Sequence, residues 1–409
     1  MDDYQRYLTW KKNARHLYDT LLLYELPWPS LTVQFFPELL YKKNVPGGPS
    51  ESLINRTVQR VLLATNTAGQ APEYLRIGEL TLPEIVSPQT LAEYDAEQGT
   101  IGGYHSDKTA DFRIVQRIQC QGVVSRARYM PQNPNVVATV ASTGEAALWD
   151  VTKFPYKPVD TYVPTVKLLG HKEEVLAVDW SPVIEAQLAT CDANGGIFLW
   201  NMAHGYDSRT GVMQPLTARD KHITGTAVNC IQWHPHRVHV LASVGDDGWL
   251  HIHNSNNDTS PLFMSVFLST NADGNTEASA PKPTSLAWNP VNDSLMAIGF
   301  DTGMVQLWDL STTEAKMIHQ WTNAHSGYIT QMAWNTHHPS VLATASEDKL
   351  IKIWDASILE TTDPLFVHGG HSAPVTDLGW NPAERGTLVS VDEGNSMQVW
   401  RPTDDLIGF

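Results

Sequence analysis

An all-β fold, a seven-bladed WD-repeat β-propeller with an N-terminal α-helix, is predicted for this 409-residue chain by three features of its sequence. Tryptophan recurs in two interleaved phases. One phase is Trp149, Trp200, Trp308, Trp354 and Trp400, and the other is Trp180, Trp233, Trp288, Trp334 and Trp380, with Tyr129 in the same role upstream. The last three members of each phase stand 46 residues apart, and the earlier spacings of 51 to 55 are what loop insertions produce. Gly-His pairs open several repeats (Gly170-His171, Gly370-His371) and Trp-Asp pairs close others. Self-similarity at roughly 40–45 residues with these marks belongs to propeller blades.

The third feature is a count of strands. Seven segments read as the third strand of a blade: YLRIGELTLP, AALWD, IFLWN, LHIHN, VQLWD, IKIWD and MQVW. Seven third strands predict seven blades. A ring of blades must close, or its first and last sheets expose unpaired edges. Residues 30–37 (SLTVQFFP) are the expected closing strand, paired with the blade that ends in MQVW.

Ahead of it, residues 3–26 read as a helix. Tyr7, Trp10, Ala14, Leu17, Tyr18 and Leu21 form one stripe at helical spacing, and Pro27 and Pro29 end it. Leu23 is out of place on the polar side. Residues 41–56 are a Gly/Pro-rich loop, 57–65 and 74–83 alternate as strands, and 84–111 is a long acidic excursion. The expected organisation is therefore a helix over 1–29, a propeller over 30–401 and a tail over 402–409.

Composition narrows the function classes. Apolar residues make up 42%, enough for a continuous core, and the three cysteines (Cys120, Cys191 and Cys230) form no disulfide framework, which fits a reducing compartment. No apolar run is long enough to span a bilayer, and the polar start of the chain is unlike a secretory signal. The net charge of −16 disfavours direct contact with nucleic acid and suits a basic partner; ordinary solubility is the bland alternative.

Chemistry-bearing motifs are missing. There is no phosphate-binding glycine loop, no Cys-x-x-Cys, no His-Glu-x-x-His and no strand–nucleophile–helix elbow. His251 and His253 share a strand face, and His234, His236 and His239 cluster in a loop. Neither group has the cysteine or acidic third ligand that a metal site needs. The Gly-His histidines read as structural: each can bond a Ser or Thr of the second strand, with an aspartate such as Asp247 or Asp348 to orient it. No cofactor, metal or catalytic residue is expected, and the chain reads as a non-enzyme.

Longer strings carry a resemblance. WKKN (10–13), LYD (17–19), WPSLT (28–32), YDAEQGTIGG (94–103), RARYMPQNP (126–134) and FVHGGH (366–371) look like the retinoblastoma-binding histone chaperone family. These are the small WD-repeat subunits of chromatin assembly, acetyltransferase, deacetylase, remodelling and Polycomb complexes. The resemblance runs from about Tyr4 to Trp400. It implies a nuclear scaffold that binds histones of the nucleosome tetramer and larger complex subunits. A propeller adaptor in a non-histone complex, such as a ubiquitin ligase, is the rival.

Two surfaces follow from the resemblance. A groove beside the N-terminal helix would involve His16, Leu17, Thr20, Leu21 and, on a facing loop, Asp363. Only ten residues (ASILETTDPL) separate Asp355 from Phe366, about half the family's loop. The second surface is the top of the central channel. Residues six and four before each second-phase aromatic should face it. These are Val123, Glu174, Ala227, Lys282, Tyr328 and Pro374, then Ser125, Leu176, Asn229, Thr284, Thr330 and Thr376. Taken with the resemblance, the expected tail contacts are Glu174, Leu176, Asn229, Asp246 or Asp247, Tyr328, Thr330, Glu393 and Asn395. The family's carboxylates are replaced at Val123, Asn229 and Tyr328, so the ring is only partly acidic.

Overall fold

The structure, a computed structural model, describes residues 3–46, 53–83, 112–155, 163–203, 206–207, 209–215, 217–219, 225–256, 262–268, 280–312 and 314–404. The acidic 84–111 excursion, with its YDAEQGTIGG string, therefore lies outside the described residues, as does most of the tail. Seven sheets form the seven blades, antiparallel throughout except where Val212–Met213 pairs parallel with Val166–Leu168. Their innermost strands are Val33–Pro46, Val124–Met130, Val175–Trp180, Val228–Trp233, Pro283–Trp288, Ile329–Trp334 and Val375–Trp380. All seven segments read as third strands occupy that place, from Glu73–Pro83 in blade one to Ser396–Pro402 in blade seven. Blade two is widened to six strands by the hairpin Tyr206–Asp207 and Val212–Met213.

The spacing of ten residues between second and third strands explains the first tryptophan phase. The indole N–H of Trp149, Trp200, Trp354 and Trp400 donates to the hydroxyl of Thr139, Thr190, Thr344 and Ser390, respectively, at 2.8–3.1 Å. In blade four, where the phase skips, His253 takes the tryptophan's place and bonds Ser243 at 2.8 Å. In blade five Trp308 turns to Gln306 instead.

Three blades complete this into a buried network. His171 bonds Thr190 and Asp192, His325 bonds Thr344 and Asp348, and His371 bonds Ser390 and Asp392. Burial opposes charge on Asp348, yet bonds from His325, Ser326 N–H and Leu350 N–H hold its carboxyl down to about 2. These histidines are structural, as their surroundings require of buried polar groups. Asp247, in the turn before the third strand of blade four, orients His251 of that strand, at 2.9 Å.

The N-terminus differs from expectation. The helix, α1, spans only Asp3–Asn13, followed by a single 3-10 turn, Ala14–His16. Tyr18–Glu25 is a strand, and it closes the ring by pairing antiparallel with Ser396–Pro402, from Tyr18↔Pro402 to Glu25↔Ser396. The 30–37 segment instead begins the innermost strand of blade one, Val33–Pro46. Residues 18–25 carry a helical stripe and a strand's alternation at once. Burial on both faces decides between them. Leu21 packs with Trp380 and Trp400 on one side of the blade, and Leu22 with Val33, Phe35 and Val399 on the other. Leu23, misplaced on a helix, shares the Leu21 face of the strand. The expected 41–56 loop is, where described, a hairpin, with pairing from Lys42↔Thr57 to Pro46↔Leu53.

The family-like motifs meet at this seam. Trp10 is buried over Gly370, where an added Cβ would lie 2.8 Å from its ring. The Trp10 indole donates to Tyr18 OH at 2.7 Å, and Tyr18 OH bonds His368 at 2.7 Å. Ser30 and Thr32 are fully buried; Thr32 Oγ1 bonds both Ala127 and Arg128. Asp377 accepts from Arg128 and Val33 N–H at 2.8–3.2 Å and forms an ion pair with Arg126 at 3.1 Å, tying blades one, two and seven together. Burial works against the Asp377 charge, but Arg128 and Arg126 keep it below the usual carboxylate range.

Candidate functional site

The channel mouth on the side of the turns between second and third strands, here the top, is built by a repeated irregularity. In six blades the pairing of the innermost strand slips by one residue, at Val124/Arg126, Val175/Ala177, Val228/Cys230, Pro283/Ser285, Ile329/Gln331 and Val375/Asp377. The residues skipped are those four before each aromatic. A bulged residue has no ladder partner, so its side chain is re-aimed. Asn229, Thr284 and Thr330 accordingly line the channel.

Just ahead of the strand, the six-before residue holds the neighbouring turn. The N–H groups of Ala193, Asp246, Asp301, Glu347 and Glu393 donate to the carbonyls of Glu174, Ala227, Lys282, Tyr328 and Pro374 at 2.9–3.1 Å. Among the described residues, these positions give the rim Glu174, Asp246, Asp301, Glu347 and Glu393, against one cation, Lys282. Glu174, Asp301, Glu347 and Glu393 are exposed. Lys282 Nζ donates to Asp246 Oδ2 at 2.8 Å, and Asn229 Nδ2 donates to Asp246 Oδ1 at 2.9 Å.

Asp301 and Glu347 are not among the residues expected from the sequence. Their signal is positional: each is the first residue after a second strand, as Asp246 and Glu393 are. Tyr328 is 38% exposed, and its hydroxyl is pushed up by burial and then by the charges of Glu347 and Glu393. Leu176 is half-buried.

Two expected members have structural work of their own. Asp247 is tied into its turn, its carboxylate held by His251 and by Trp249 N–H, with only 7% of its side chain exposed. Asn395 serves backbone geometry: it adopts a left-handed φ of 67°, and its carbonyl accepts from Leu26 N–H. Left-handed backbone in tight turns favours Gly and Asn.

Beneath the rim the charge reverses. Arg126 lies across the channel and donates to the carbonyls of Thr330, Thr376 and Leu31 at 3.2–3.5 Å. A chamber of about 100 Å³ lies against Arg126 and Arg128, lined also by Asp179, Asn229, Thr284 and Ser285.

The bottom mouth is of another kind. Tyr129, Trp180, Trp233, Trp288, Trp334 and Trp380 surround a cavity of about 390 Å³, with prolines between them. Val183, Val238 and Val291 stand exposed on the loops below. Asp179 lines this cavity too, and burial pushes its carboxyl up to about 7.

At the helix groove, His16 and Asp363 are exposed and Leu17 is half-buried. Thr20 and Leu21 are buried at 5% and 0%, because they belong to the closing strand rather than to a helix face. They are not groove residues. The outward face of α1 instead presents Tyr4 and Leu8, one helical turn apart. The short 356–365 connection packs inward through Leu359 and Leu365.

Among the described residues, no group of three or more His, Cys, Asp or Glu side chains could hold a metal. His234 and His236 bond the backbone of Asp293 and Pro290. No described helix is long and apolar enough to cross a membrane.

Comparison with known proteins adds independent matches. Residues 5–84 match a family described as that of the histone-binding protein RBBP4, a component of the CAF1 complex. This stretch holds α1, the closing strand and three strands of blade one. Residues 183–400 match a propeller family described as "Nucleolar protein 10-like, N-terminal domain", and residues 162–201 match the WD domain, G-beta repeat. Proteins named "Histone acetyltransferase type B subunit 2" are similar: 38% identical in Aspergillus oryzae over 61% of this chain and 55% of that protein. The Schizosaccharomyces pombe protein is 33% identical over 61% and 55%. The chain thus spans little more than half the length of the curated relatives it matches.

Proposed function

Because the chain belongs to the retinoblastoma-binding histone chaperone family of WD-repeat propellers, we propose that it is a non-enzymatic scaffold subunit of a nuclear chromatin complex that holds a basic histone tail at the top mouth. The observation that carries this reading is the exposed acidic rim, Glu174, Asp301, Glu347 and Glu393, on a rigid disc in a chain of charge −16. A basic peptide is steered to such a rim and held there by charge-assisted hydrogen bonds. The relatives' name, a subunit of a histone acetyltransferase, supports a place beside a larger catalytic subunit. The helix groove supports a second histone contact less well, since its facing loop is short and Thr20 and Leu21 are buried.

The test is calorimetry with tail peptides of the tetramer histones. Glu174→Gln, Glu347→Gln and Glu393→Gln together should weaken binding at least about tenfold, roughly 1.4 kcal/mol. Melting should barely change, because all three side chains are exposed. Binding should also weaken as salt rises. Equal affinity in wild type and triple variant would move the site off the top mouth.

A further inference from the structure

We propose that the top mouth selects, at its centre, a neutral amide acceptor (an acylated lysine or a glutamine side chain) and rejects a free lysine there, with Arg126 as the selecting residue. The inference rests on the tail-binding reading and names what that site takes.

It follows from how charge is arranged with depth. The outer ring is anionic, so basic residues of a bound tail lie on it. The inner ring, formed by the bulged residues, holds no charge: Ser125, Leu176, Asn229, Thr284, Thr330 and Thr376. Directly below them sits the Arg126 guanidinium, bonded to Thr330 and Thr376 carbonyls. Arg126 and Arg128 share one fully buried carboxylate, Asp377, so it balances only one of the two cations. The other acid lining the chamber, Asp179, is already engaged, its Oδ2 accepting from Trp233 N–H at 2.7 Å, and burial pushes its carboxyl up to about 7. Among the described residues, an ammonium entering along the axis meets a guanidinium with no spare carboxylate to receive it.

A carbonyl oxygen meets donors instead. The Arg126 side chain is 21% exposed, and its bonds to backbone carbonyls are long, 3.2–3.5 Å, so its N–H groups can be shared with a better-placed acceptor. Ser285 and Thr330 line the chamber, and neither hydroxyl has a hydrogen-bond partner among the described residues; Ser285 is only 1% exposed. Buried hydroxyls of this kind are completed by water or by a polar ligand atom.

The experiment uses the full chain and basic histone tail peptides in matched sets. Each lysine in turn is left free, acetylated, or replaced by glutamine. At one position both neutral forms should bind at least about fivefold more tightly than the free lysine, the scale of one hydrogen bond gained. A gain for acetyl-lysine but not glutamine would assign the site to acyl-lysine alone; the reverse would assign it to glutamine. Arg126→Met should abolish the preference. Arg126→Gln should keep affinity for the neutral forms and improve it for free lysine. Melting curves of both variants establish that they fold, since Arg128 still pairs with Asp377. The inference fails if free lysine binds as well as the neutral forms at every position, or if the preference survives in Arg126→Met. If no peptide binds in any form, the tail-binding reading itself fails, and the selection with it.

Discussion

The two mouths of the channel share the same seven strands and have opposite surfaces. The top is ringed by carboxylates on turns, over uncharged bulged residues and an arginine floor. The bottom is ringed by tryptophans and prolines around a cavity of about 390 Å³, with valines on the loops beyond. The difference arises from where each strand's regular pairing ends. At the top the ladder slips and frees polar side chains to face the axis. At the bottom, in five of the blades, the ladder runs on to a tryptophan. The indoles of Trp180, Trp334 and Trp380 cross to a carbonyl of the preceding blade at 2.9–3.0 Å. One end is therefore shaped for charge and exchange, and the other for cohesion.

The largest expected effect comes from the element both mouths stand on. Asp377→Ala leaves Arg128 buried without its carboxylate and should cost about 3–5 kcal/mol in chemical denaturation. Such a loss should also weaken the proposed tail binding at the top mouth. A near-neutral result would mean that the mouths are held independently.

Asp179 lies in the wall of both cavities, and its carboxyl is raised above its unfolded value. The native state keeps a proton that the unfolded chain releases. Its contribution to stability is fully present below about pH 4 and is lost as pH rises towards about 7, on the order of a few kcal/mol. Urea midpoints across that window should flatten in Asp179→Asn. An unchanged slope would assign the pH dependence to other groups.

A smaller test compares indoles at the bottom. Trp334 donates to Ala287, whereas the Trp233 and Trp288 N–H groups find no partner among the described residues. Trp334→Phe should therefore cost about 1 kcal/mol more than Trp288→Phe, the net worth of one hydrogen bond. The smallest effect is a control. Val183→Glu with Val291→Glu should leave tail affinity at the top within about twofold, because distant sites are independent. A larger change would join the two mouths into one surface.

The blade count was legible because seven third-strand segments recur, four of them carrying a tryptophan ten residues after its hydroxyl partner. The N-terminal strand was not. Residues 18–25 satisfy helical and strand periodicity together, and only their partner, Ser396–Pro402, decides between them. Position along the innermost strand was also legible, which is why Glu174, Tyr328 and Thr330 reach the top mouth. Asp301 and Glu347 required knowing where second strands end, and the burial of Asp247 required knowing that His251 turns back on it. Arg126 lies inside a family-like motif, RARYMPQNP, yet its reach across the axis depends on carbonyls from blades six and seven.

The closing strand has a consequence for how the protein is made. Tyr18 and its partner Pro402 are 384 residues apart. At a synthesis rate of about 5–20 residues per second, roughly 20–80 s pass between the two leaving the ribosome. Throughout that interval an apolar strand, YDTLLLYE, has no partner, while blades one to six can form behind it. Unpaired strands of this kind recruit wrong partners. The neighbouring helix offers early cover through Tyr7 and Trp10, but the seat for Trp10 at Gly370 also lies far downstream and is made long after the helix. Production of this disc should therefore be more sensitive to chaperone supply and translation speed than the stability of the finished ring suggests.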